Sequence, residues 1–533
     1  MTTPAITPSE TVPASTHARN ETDVFAVHGA DPEVLAYAMA KYSRSSLSMR
    51  QSLKEISSQR AEQFLNTFYF QYGHRSIADL AHVAFAIERL SLLAAIVLVD
   101  EQRWDGQERS TRYQNFLKSG WYLPEFGEDV EARQLYIETV EGLFTSYQRA
   151  SAAVFEALKR RITCPETLKH DAYERTLKAR AFDVARYLLP LATNTSLGQI
   201  VNARTLETQV SRLLAHPAAE VRELGGKLRD AATGAAWNLQ ADEFAALQEK
   251  IEKTSPEVAA ISEPLLTREV HAAPTLVKYA QPSAYERTTR AELAQAAAEL
   301  LNGVAIAEAP VVDLVERTES LEAELAATLM YSTSHHPYRQ IRDLVVELPE
   351  ARIAELIELG LRHRGRHDEA LRAFHAGQGL RFDILMDIGG FRDMHRHRRC
   401  TQIIQDFTTL HGFDTPREGD LEVDVDLLAE AGIAEEYRAA AEGAFAASER
   451  IAEGGAKESA LYVLPLATRI RSLFKMDFAE AQYISELRSA PAGHFSYRKV
   501  AWEMYLAVKR QHPALAKYFR ITDFTEPIDL LKR

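Results

Sequence analysis

Two hydrophobic periods alternate along this chain, one typical of helices and one typical of strands. A helix is predicted from Asp31, whose side chain suits an N-cap, through Pro32 in the first turn to Ala40. Further helices are predicted at about residues 53–72 and 130–161. The helical pattern dominates the first half of the chain.

Strand periodicity occurs at two places that are far apart in the sequence. Apolar residues alternate with Ala84, Ala86 and Glu88 in the first run, and they occupy every second position of residues 380–388 in the other. An apolar helix from about Leu92 follows the first run. Gly389-Gly390 ends the second, and a basic helix is predicted after it.

A heptapeptide occurs twice in the chain. Tyr187-Leu-Leu-Pro-Leu-Ala-Thr193 and Tyr462-Val-Leu-Pro-Leu-Ala-Thr468 agree at six of seven positions, and each follows a strand, a helix and a long helical stretch. This order predicts duplication of a whole domain. We predict a disordered tail at 1–23, copy one at 24–253, a proline-containing linker at 254–289 and copy two at 290–533.

Composition narrows the class of protein. Of the 533 residues, 46% are apolar and 26% charged, which is typical of a soluble globular protein. No apolar run suits a membrane span, and residues 1–23 lack the features of a secretory signal. Cys164 and Cys400 are the two cysteines, so a disulfide framework is excluded and a reducing cytoplasm is expected. Because the net charge is -13, broad binding to nucleic acid is not expected.

A basic run at residues 391–402 departs from this acidic background. On a helix, Arg392, His395, Arg396 and Arg399 fall on one face, where like charges repel. A bound anion would relieve that repulsion, and guanidinium groups suit phosphate. A solvated basic helix face is the alternative interpretation.

Four short motifs resemble those of the flavin-dependent thymidylate synthases. Arg396-His-Arg-Arg-Cys-Thr401 resembles Arg-His-Arg-x-x-Ser, with Thr401 in place of Ser. Gln107-Glu-Arg-Ser-Thr-Arg-Tyr113 resembles Asn-Glu-x-Ser-x-Arg-Tyr, with Gln107 in place of Asn. Residues 185–193 and 200–206 resemble the family's Ala-Arg-x-x-Leu-Pro-Leu and Asn-Ala-Arg-Ser-Leu elements.

The resemblance implies a fold, a reaction and an assembly. The fold would be α+β and helix-rich, with two tandem synthase-like domains that each pack a small antiparallel sheet against helices. The reaction would methylate dUMP to dTMP with FAD as cofactor and with NADPH and methylenetetrahydrofolate as co-substrates. Because the family forms homotetramers, a two-copy chain is expected to form a homodimer that mimics the tetramer.

The resemblance also assigns roles to individual residues. Arg488, at the family's spacing after Asp477, would face the pyrimidine and stabilise charge on it, as the catalytic residue. Substrate-binding residues would be Glu108, Ser110, Arg112 and Arg186. The cofactor-binding residues would be Ser76, Asn202, Arg204, Arg396, His397 and Arg398.

Neither copy contains the full set of motifs. Copy one has Asp-Glu-Gln at residues 100–102 where Arg-His-Arg is expected, and copy two has Ile-Gln-Asp-Phe-Thr-Thr at 404–409 where the Glu-x-Ser-x-Arg-Tyr loop is expected. We therefore expect composite sites built from both copies, with half of the ancestral sites degenerate. A non-catalytic flavin- or nucleotide-binding homologue with a regulatory or scaffold role is the alternative.

Two other classes of site can be drawn on the same basic run. His395, His397 and Cys400, with His411 nearby, have a spacing that suits zinc, but neighbouring arginines repel a cation and no paired cysteine completes the set. We therefore predict no metal site and interpret Cys400 as a packing residue. A nucleic-acid scaffold would need an aromatic platform interleaved with the arginines, which the run lacks.

Overall fold

The computed structural model describes residues 30–41, 75–315, 320–363, 371–374, 379–416, 427–516, 519–526, 529 and 531. The predicted tail and the helix predicted at 53–72 lie outside these ranges. Ser76 is described by its backbone alone, within a 3₁₀ helix at Arg75–Leu80.

Each copy contains a small antiparallel sheet whose central strand follows the repeated heptapeptide. The strands are β1 (His82–Ser91), β2 (Asp105–Glu108), β3 (Asn194–Asn202), β4 (Val312–Leu314), β5 (Leu380–Asp387), β6 (Thr401–Ile404) and β7 (Arg469–Met476). Their order is β1-β3-β2 in copy one and β4-β5-β7-β6 in copy two. Apart from β4, the two sheets have the same topology.

The helices of the two copies also correspond. Copy one contains α1 (Pro32–Lys41), α2 (Leu92–Leu98), α3 (Val130–Arg161), α4 (His170–Ala185), α5 (Ala203–Leu214), α6 (Ala219–Thr233) and α7 (Ala241–Thr254). After α8 (Pro256–Leu266) come α9 (Ala284–Leu300), α10 (Leu321–Tyr331), α11 (Tyr338–Val346), α12 (Glu350–Leu361), α13 (Ile388–Met394), α14 (Leu427–Glu430), α15 (Ala434–Glu453), α16 (Lys457–Ala460), α17 (Phe478–Ser489), α18 (Phe495–Gln511) and α19 (Pro513–Ala516). Short 3₁₀ helices lie at Arg186–Leu188, Arg372–Phe374 and Leu461–Val463. The predicted α+β, helix-rich fold is confirmed.

The repeated heptapeptides join the two copies. The Leu191 amide donates to the Leu464 carbonyl at 2.9 Å, and the Leu466 amide donates to the Leu189 carbonyl at 2.9 Å. Pro190 and Pro465 form an antiparallel bridge at the centre of this pairing. Because a proline nitrogen cannot donate, the flanking amides supply the hydrogen bonds. The repeated heptapeptides therefore lie where the two copies meet, and their reciprocal antiparallel pairing relates the copies by a local two-fold axis.

The helix predicted after Gly389-Gly390 is shorter than the basic run. Asp387 caps α13 by accepting from the Gly390 amide at 2.6 Å, and the helix ends at Met394. Residues 395–400 then turn, because β6 has to begin at Thr401 to pair with Lys475 of β7. The prediction that four cationic residues share one helical face is therefore wrong.

The region predicted as a linker contains secondary structure. Helix α8 lies entirely within residues 254–289, and α9 begins there at Ala284. Helices α9 to α12 then build a second apolar cluster, which includes Leu473 of β7 and covers that face of the copy-two sheet.

Candidate functional site

A cleft lies where the basic run of copy two meets the sheet of copy one. Arg396 and Arg398 line it from copy two, whereas Trp104, Asp105 and Asn202 are among the residues that line it from copy one. The cleft has a volume of about 400 Å³. This volume lies within the range of small-molecule sites.

The cleft presents cationic groups that internal partners do not fully satisfy. The Arg398 guanidinium carbon lies 4.4 Å from the ring centroid of Trp104, a cation–π contact. Burial and the charge of Arg396 lower the pKa of Arg398 to about 10, so the group stays protonated at neutral pH. Among the described residues, Arg398 Nε has no hydrogen-bond partner, and neither has Nε of Arg392, which lies in an adjoining pocket that Arg396 and Arg398 also line. An anionic ligand would supply one.

The loop that begins at Glu108 meets copy two directly. The Glu108 carboxylate forms an ion pair with Arg392, and both side chains are nearly buried. The Ser110 hydroxyl accepts from the Arg112 amide at 3.2 Å, which shapes the turn. The two predicted substrate residues Glu108 and Ser110 therefore lie beside the basic run.

Arg112 is held tightly inside the protein. Its Nε and Nη2 donate to the two carboxylate oxygens of Asp183 at 2.8 and 3.2 Å, and its Nη1 donates to the Tyr497 hydroxyl at 2.8 Å. A further bond reaches the carbonyl of Ala492 at 3.2 Å. Burial opposes the charged form, but Asp183 outweighs it and raises the pKa of Arg112. The guanidinium is thus already engaged by both copies.

Arg186 differs from Arg112 in its hydrogen bonding. It is 1% exposed, yet its Nε and Nη2 have no hydrogen-bond partner among the described residues. Its Nη1 lies 3.5 Å from the Thr111 hydroxyl and 3.5 Å from an oxygen of Asp393. It also lies against Gly389, where a Cβ would come within 3.6 Å of Nε and Nη2. A buried arginine with two unsatisfied donors is costly unless a ligand completes it.

Arg488 and His397 form a direct pair. Arg488 Nε donates to His397 Nε2 at 2.8 Å, which requires that nitrogen to be unprotonated. Burial and the neighbouring Arg488 lower the pKa of His397 to about 3, so the ring is neutral at physiological pH. The guanidinium carbons of Arg488 and Arg112 lie 5.3 and 5.7 Å from the Tyr497 ring centroid. Tyr497 therefore links the loop at residues 107–113 of copy one to Arg488 of copy two.

The remaining predicted cofactor residues lie at the start of α5. Asn202 lines the cleft and caps the helix by accepting from the Thr205 amide at 2.8 Å. Arg204 forms an ion pair with Asp79 at 3.1 Å. The side chain of Ser76 is outside the described residues.

At the two-fold counterpart of Arg-His-Arg, Asp100 and Glu101 of copy one are held by internal ion pairs. Arg212 Nη2 lies 2.7 Å from Glu101, and Arg372 donates to the Asp100 carbonyl at 2.9 Å. Although burial opposes the charge, Arg372, His395 and Arg212 lower the pKa of Asp100 to about 2. Arg290 of α9 pairs with Asp406, which lies within residues 404–409 of copy two. This position is stabilised by its own residues.

Sequence reasoning missed three residues that shape the site. Asp183 lies on α4 and Tyr497 on α18, more than 300 residues apart, and neither belongs to a short motif. Trp104 lies four residues before Glu108, and its Nε1 donates to Gln199 at 2.7 Å. In the sequence, Trp104 lies between residues 100–102 and the motif at residues 107–113, and this place could have identified it as a candidate site residue.

The described residues give no support to a zinc site. They contain no group of three or more histidine, cysteine or acidic side chains arranged to hold a metal ion. His395 Nδ1 lies 2.8 Å from Gln402, and the Cys400 thiol lies 3.2 Å from the His397 carbonyl. Burial raises the pKa of Cys400 to about 12, which fits a packing residue. None of the described helices is long and apolar enough to cross a membrane.

Comparison with known proteins gives matches in both copies. The model of the family described as "Thymidylate synthase complementing protein" matches residues 26–236 and 313–514. A UPF0159 protein of Chlamydia pneumoniae is 28% identical over 95% of this chain and 93% of its own length. A flavin-dependent thymidylate synthase of Clostridium tetani is 26% identical over 33% of this chain and 67% of its own length.

A solved structure matches part of the chain. The flavin-dependent thymidylate synthase ThyX of Helicobacter pylori, complexed with FAD and dUMP, is 17% identical. The match covers 38% of this chain and 89% of the other, with a TM-score of 0.26.

Proposed function

The chain belongs to the thymidylate synthase complementing protein family, the flavin-dependent thymidylate synthases, as a tandem duplicated member, and on this basis we propose that it methylates dUMP to dTMP. Bound FAD, reduced by NADPH, would supply the hydride, and methylenetetrahydrofolate would supply the carbon unit. The observation that carries the proposal is the cleft lined by Arg396 and Arg398 of copy two and by Asn202 of copy one. It favours one composite site per chain.

The residues around the cleft fit an anionic flavin nucleotide. Arg398 Nε, at the cleft, and Arg392 Nε, in the adjoining pocket, are buried atoms without hydrogen-bond partners in the described part of the chain. We assign Arg396, His397, Arg398 and Asn202 to the flavin. Ser76 and Arg204 are assigned with them from the family motifs. Charge-assisted bonds from guanidinium groups suit a pyrophosphate.

The nucleotide substrate would lie beside Arg186. Nε and Nη2 of the buried Arg186 guanidinium have no hydrogen-bond partner in the described part of the chain, and a phosphate would satisfy them in competition with the nearby Asp393 carboxylate. Glu108, Ser110 and Arg112 would shape the adjoining loop, with Asp183 fixing Arg112. Because Arg488 Nε donates to His397, the two terminal nitrogens of Arg488 would be the groups that polarise the pyrimidine.

The local two-fold related position supports the proposal of one working site per chain. In copy two, His397 pairs with Arg488. At the corresponding position of copy one, Glu101 stands in place of His397 and pairs with Arg212 at 2.7 Å. A carboxylate in place of the imidazole would repel a phosphate. We propose that this position is structural.

One observation favours the non-catalytic alternative. Glu108 is paired with Arg392 and Arg112 with Asp183, so two predicted substrate residues already have internal partners. A protein that binds flavin or nucleotide and regulates or scaffolds another would tolerate this arrangement. A catalyst would have to open the Glu108 pair when substrate binds.

The test is turnover by the purified full-length chain. With FAD, NADPH, methylenetetrahydrofolate and dUMP, we expect dTMP, detected by chromatography, and we expect no product when flavin is omitted. Arg488→Gln keeps a polar side chain that can donate hydrogen bonds but removes the charge, and it should abolish product while retaining FAD. A chain that binds FAD and dUMP but forms no dTMP would contradict the synthase and favour the non-catalytic homologue.

A further inference from the structure

The turn between α17 and α18 places one tyrosine where the two copies meet. Tyr497 is 4% exposed, and Gly493 leaves the space that its ring needs, because a Cβ on Gly493 would lie 2.8 Å from Tyr497 Cε2. His494 caps α18 by accepting from the Ser496 amide at 3.2 Å through Nδ1, so its Nε2 carries the proton and donates to the Asp183 carbonyl at 3.0 Å. The ring of Tyr497 is therefore held by a turn that is itself bonded to α4 of copy one.

Tyr497 contacts one arginine from each copy. Its hydroxyl accepts from Arg112 Nη1 at 2.8 Å, and the guanidinium carbon of Arg488 lies 5.3 Å from its ring centroid, within the range of a cation–π contact. The guanidinium carbon of Arg112 lies 5.7 Å from the same centroid, but two hydrogen bonds to Asp183 already fix that group. The hydroxyl thus serves Arg112 and the ring serves Arg488, so a substitution can remove one contact and keep the other.

The groups that hold Arg488 are neutral, whereas Arg112 is held by a carboxylate. Asp183 bonds Arg112 through both carboxylate oxygens and balances its charge. Arg488 Nε donates to His397, which is neutral because burial and the neighbouring Arg488 lower its pKa to about 3. Within the part of the chain that the structure describes, no carboxylate forms an ion pair with Arg488. The guanidinium of Arg488 is therefore held in place without an internal counter-charge.

We propose that Tyr497 is the positioning residue of Arg488, and that its ring holds the guanidinium toward the pyrimidine while leaving the charge of the guanidinium available. This role of Tyr497 rests on the proposed function, in which Arg488 faces the pyrimidine. A carboxylate in place of the ring would also hold the guanidinium, but its charge would cancel most of the field at the pyrimidine. An aromatic ring attracts a cation through its quadrupole and carries no net charge.

The field that reaches the pyrimidine can be measured on a bound nucleotide without turnover. The probe is 5-fluoro-dUMP bound to the purified full-length chain, because its fluorine reports ionisation of the ring by NMR and makes the ring N3–H more acidic than that of dUMP. A cation close to the ring favours the ionised form, so the N3–H pKa of the bound nucleotide should lie about 1–3 pH units below that of the free nucleotide. Arg488→Gln should abolish this difference.

Two replacements at position 497 separate the ring from the hydroxyl. Tyr497→Phe removes the acceptor of Arg112 but keeps the ring, so the pKa of the bound nucleotide should stay as in wild type. Trifluorophenylalanine at the same position keeps the shape of the ring and weakens its negative face, so it should raise that pKa toward the value of the free nucleotide. Because the two replacements have nearly the same shape, a difference between them does not come from altered packing.

Trifluorophenylalanine in place of Tyr505 is the matched control. Tyr505 also lies on α18, and Lys509 Nζ lies 5.8 Å from its ring centroid, so the replacement weakens a cation–π contact here too. Its ring packs against Trp502 and Phe519, and it is about 12 Å further along the helix than Tyr497. The pKa of the bound nucleotide should not change.

The role of Tyr497 is overturned if phenylalanine and trifluorophenylalanine at position 497 give the same pKa of the bound nucleotide, even in a chain that forms dTMP. A wild-type complex whose nucleotide has the pKa of the free molecule overturns it as well, and so does a chain that binds no pyrimidine nucleotide. A wild type that lowers this pKa, loses the effect on fluorination and forms no dTMP would contradict the synthase while supporting the role of Tyr497.

Discussion

Replacing Arg186 by methionine separates a ligand-binding role from a structural one. The side chain is 1% exposed and has two buried donors without partners in the described part of the chain. Each such donor costs about 1–3 kcal/mol in the folded state. Of the two nearby carboxylates, Asp393 keeps 18% of its side chain exposed and can be solvated without the arginine, and the buried Asp387 keeps its bonds to Ser496 and the Gly390 amide. We therefore expect Arg186→Met to leave the free energy of unfolding unchanged or to raise it by about 1–4 kcal/mol.

The same substitution should impair nucleotide binding. A charge-assisted hydrogen bond contributes about 1.5–3 kcal/mol, so the dUMP dissociation constant should rise about 10- to 150-fold. Isothermal titration with dUMP and urea unfolding measure the two effects. Binding of deoxyuridine, which lacks the phosphate, should be equal in wild type and variant.

Arg212→Met provides the control, because Arg212 is half-buried and has internal partners. Its loss leaves the half-buried Glu101 without its ion pair, which should cost about 1.5–3 kcal/mol while dUMP affinity stays unchanged. The reasoning is refuted if Arg186→Met destabilises the fold by more than about 2 kcal/mol. Unchanged dUMP affinity in Arg186→Met would refute it equally.

Three further outcomes follow from the site. The double variant Arg396→Ala with Arg398→Ala should lose bound FAD, measured by visible absorbance; full occupancy would show that these arginines do not hold the cofactor. The pKa of His397 is about 3 in the fold against about 6.5 unfolded, so above pH 6.5 protonation makes no difference to stability. Below pH 6.5 the unfolded chain binds a proton on His397 before the folded chain does. The free energy of unfolding of wild type, measured by urea unfolding, should therefore fall by about 1.4 kcal/mol per pH unit relative to that of His397→Gln. The same pH dependence in both proteins would argue against a buried neutral ring. Burial raises the pKa of Cys400 to about 12, so iodoacetamide should label Cys164 and spare Cys400 by mass spectrometry; rapid labelling of Cys400 would contradict its packing role.

Local patterns predicted the first long strand of each sheet and the long helix well. Alternation at 83–88 and at 380–388 corresponds to β1 and β5, and α3 spans residues 130–161 as expected. The central strands β3 and β7 were not predicted. In β3 the buried positions include Thr195 and Gln199. Because these buried side chains are polar, the sequence does not show the alternation of apolar and polar residues that predicts a strand. Gln199 is satisfied by Trp104, a partner that sequence distance hides.

A site built from both copies could be proposed from the sequence, but the internal pairing of its residues could not. Motifs divided between the copies predict that Arg396 and Asn202 work together, and both line one cleft. Which residue satisfies each arginine depends on tertiary contacts. Asp183 holds Arg112 from 71 residues away, and Tyr497 does so from 385 residues away. The resemblance supplied the roles of these arginines, whereas the structure supplied their partners.

Titration of the flavin-free full-length chain with FAD tests the central claim, one composite site per chain, most directly. Quenching of flavin fluorescence against a known chain concentration gives the number of sites. The account predicts one FAD per chain, because the basic run occurs only in copy two and residues 100–102 of copy one are Asp-Glu-Gln. Two FAD molecules per chain would contradict the degenerate second position, and none would contradict the flavin site itself.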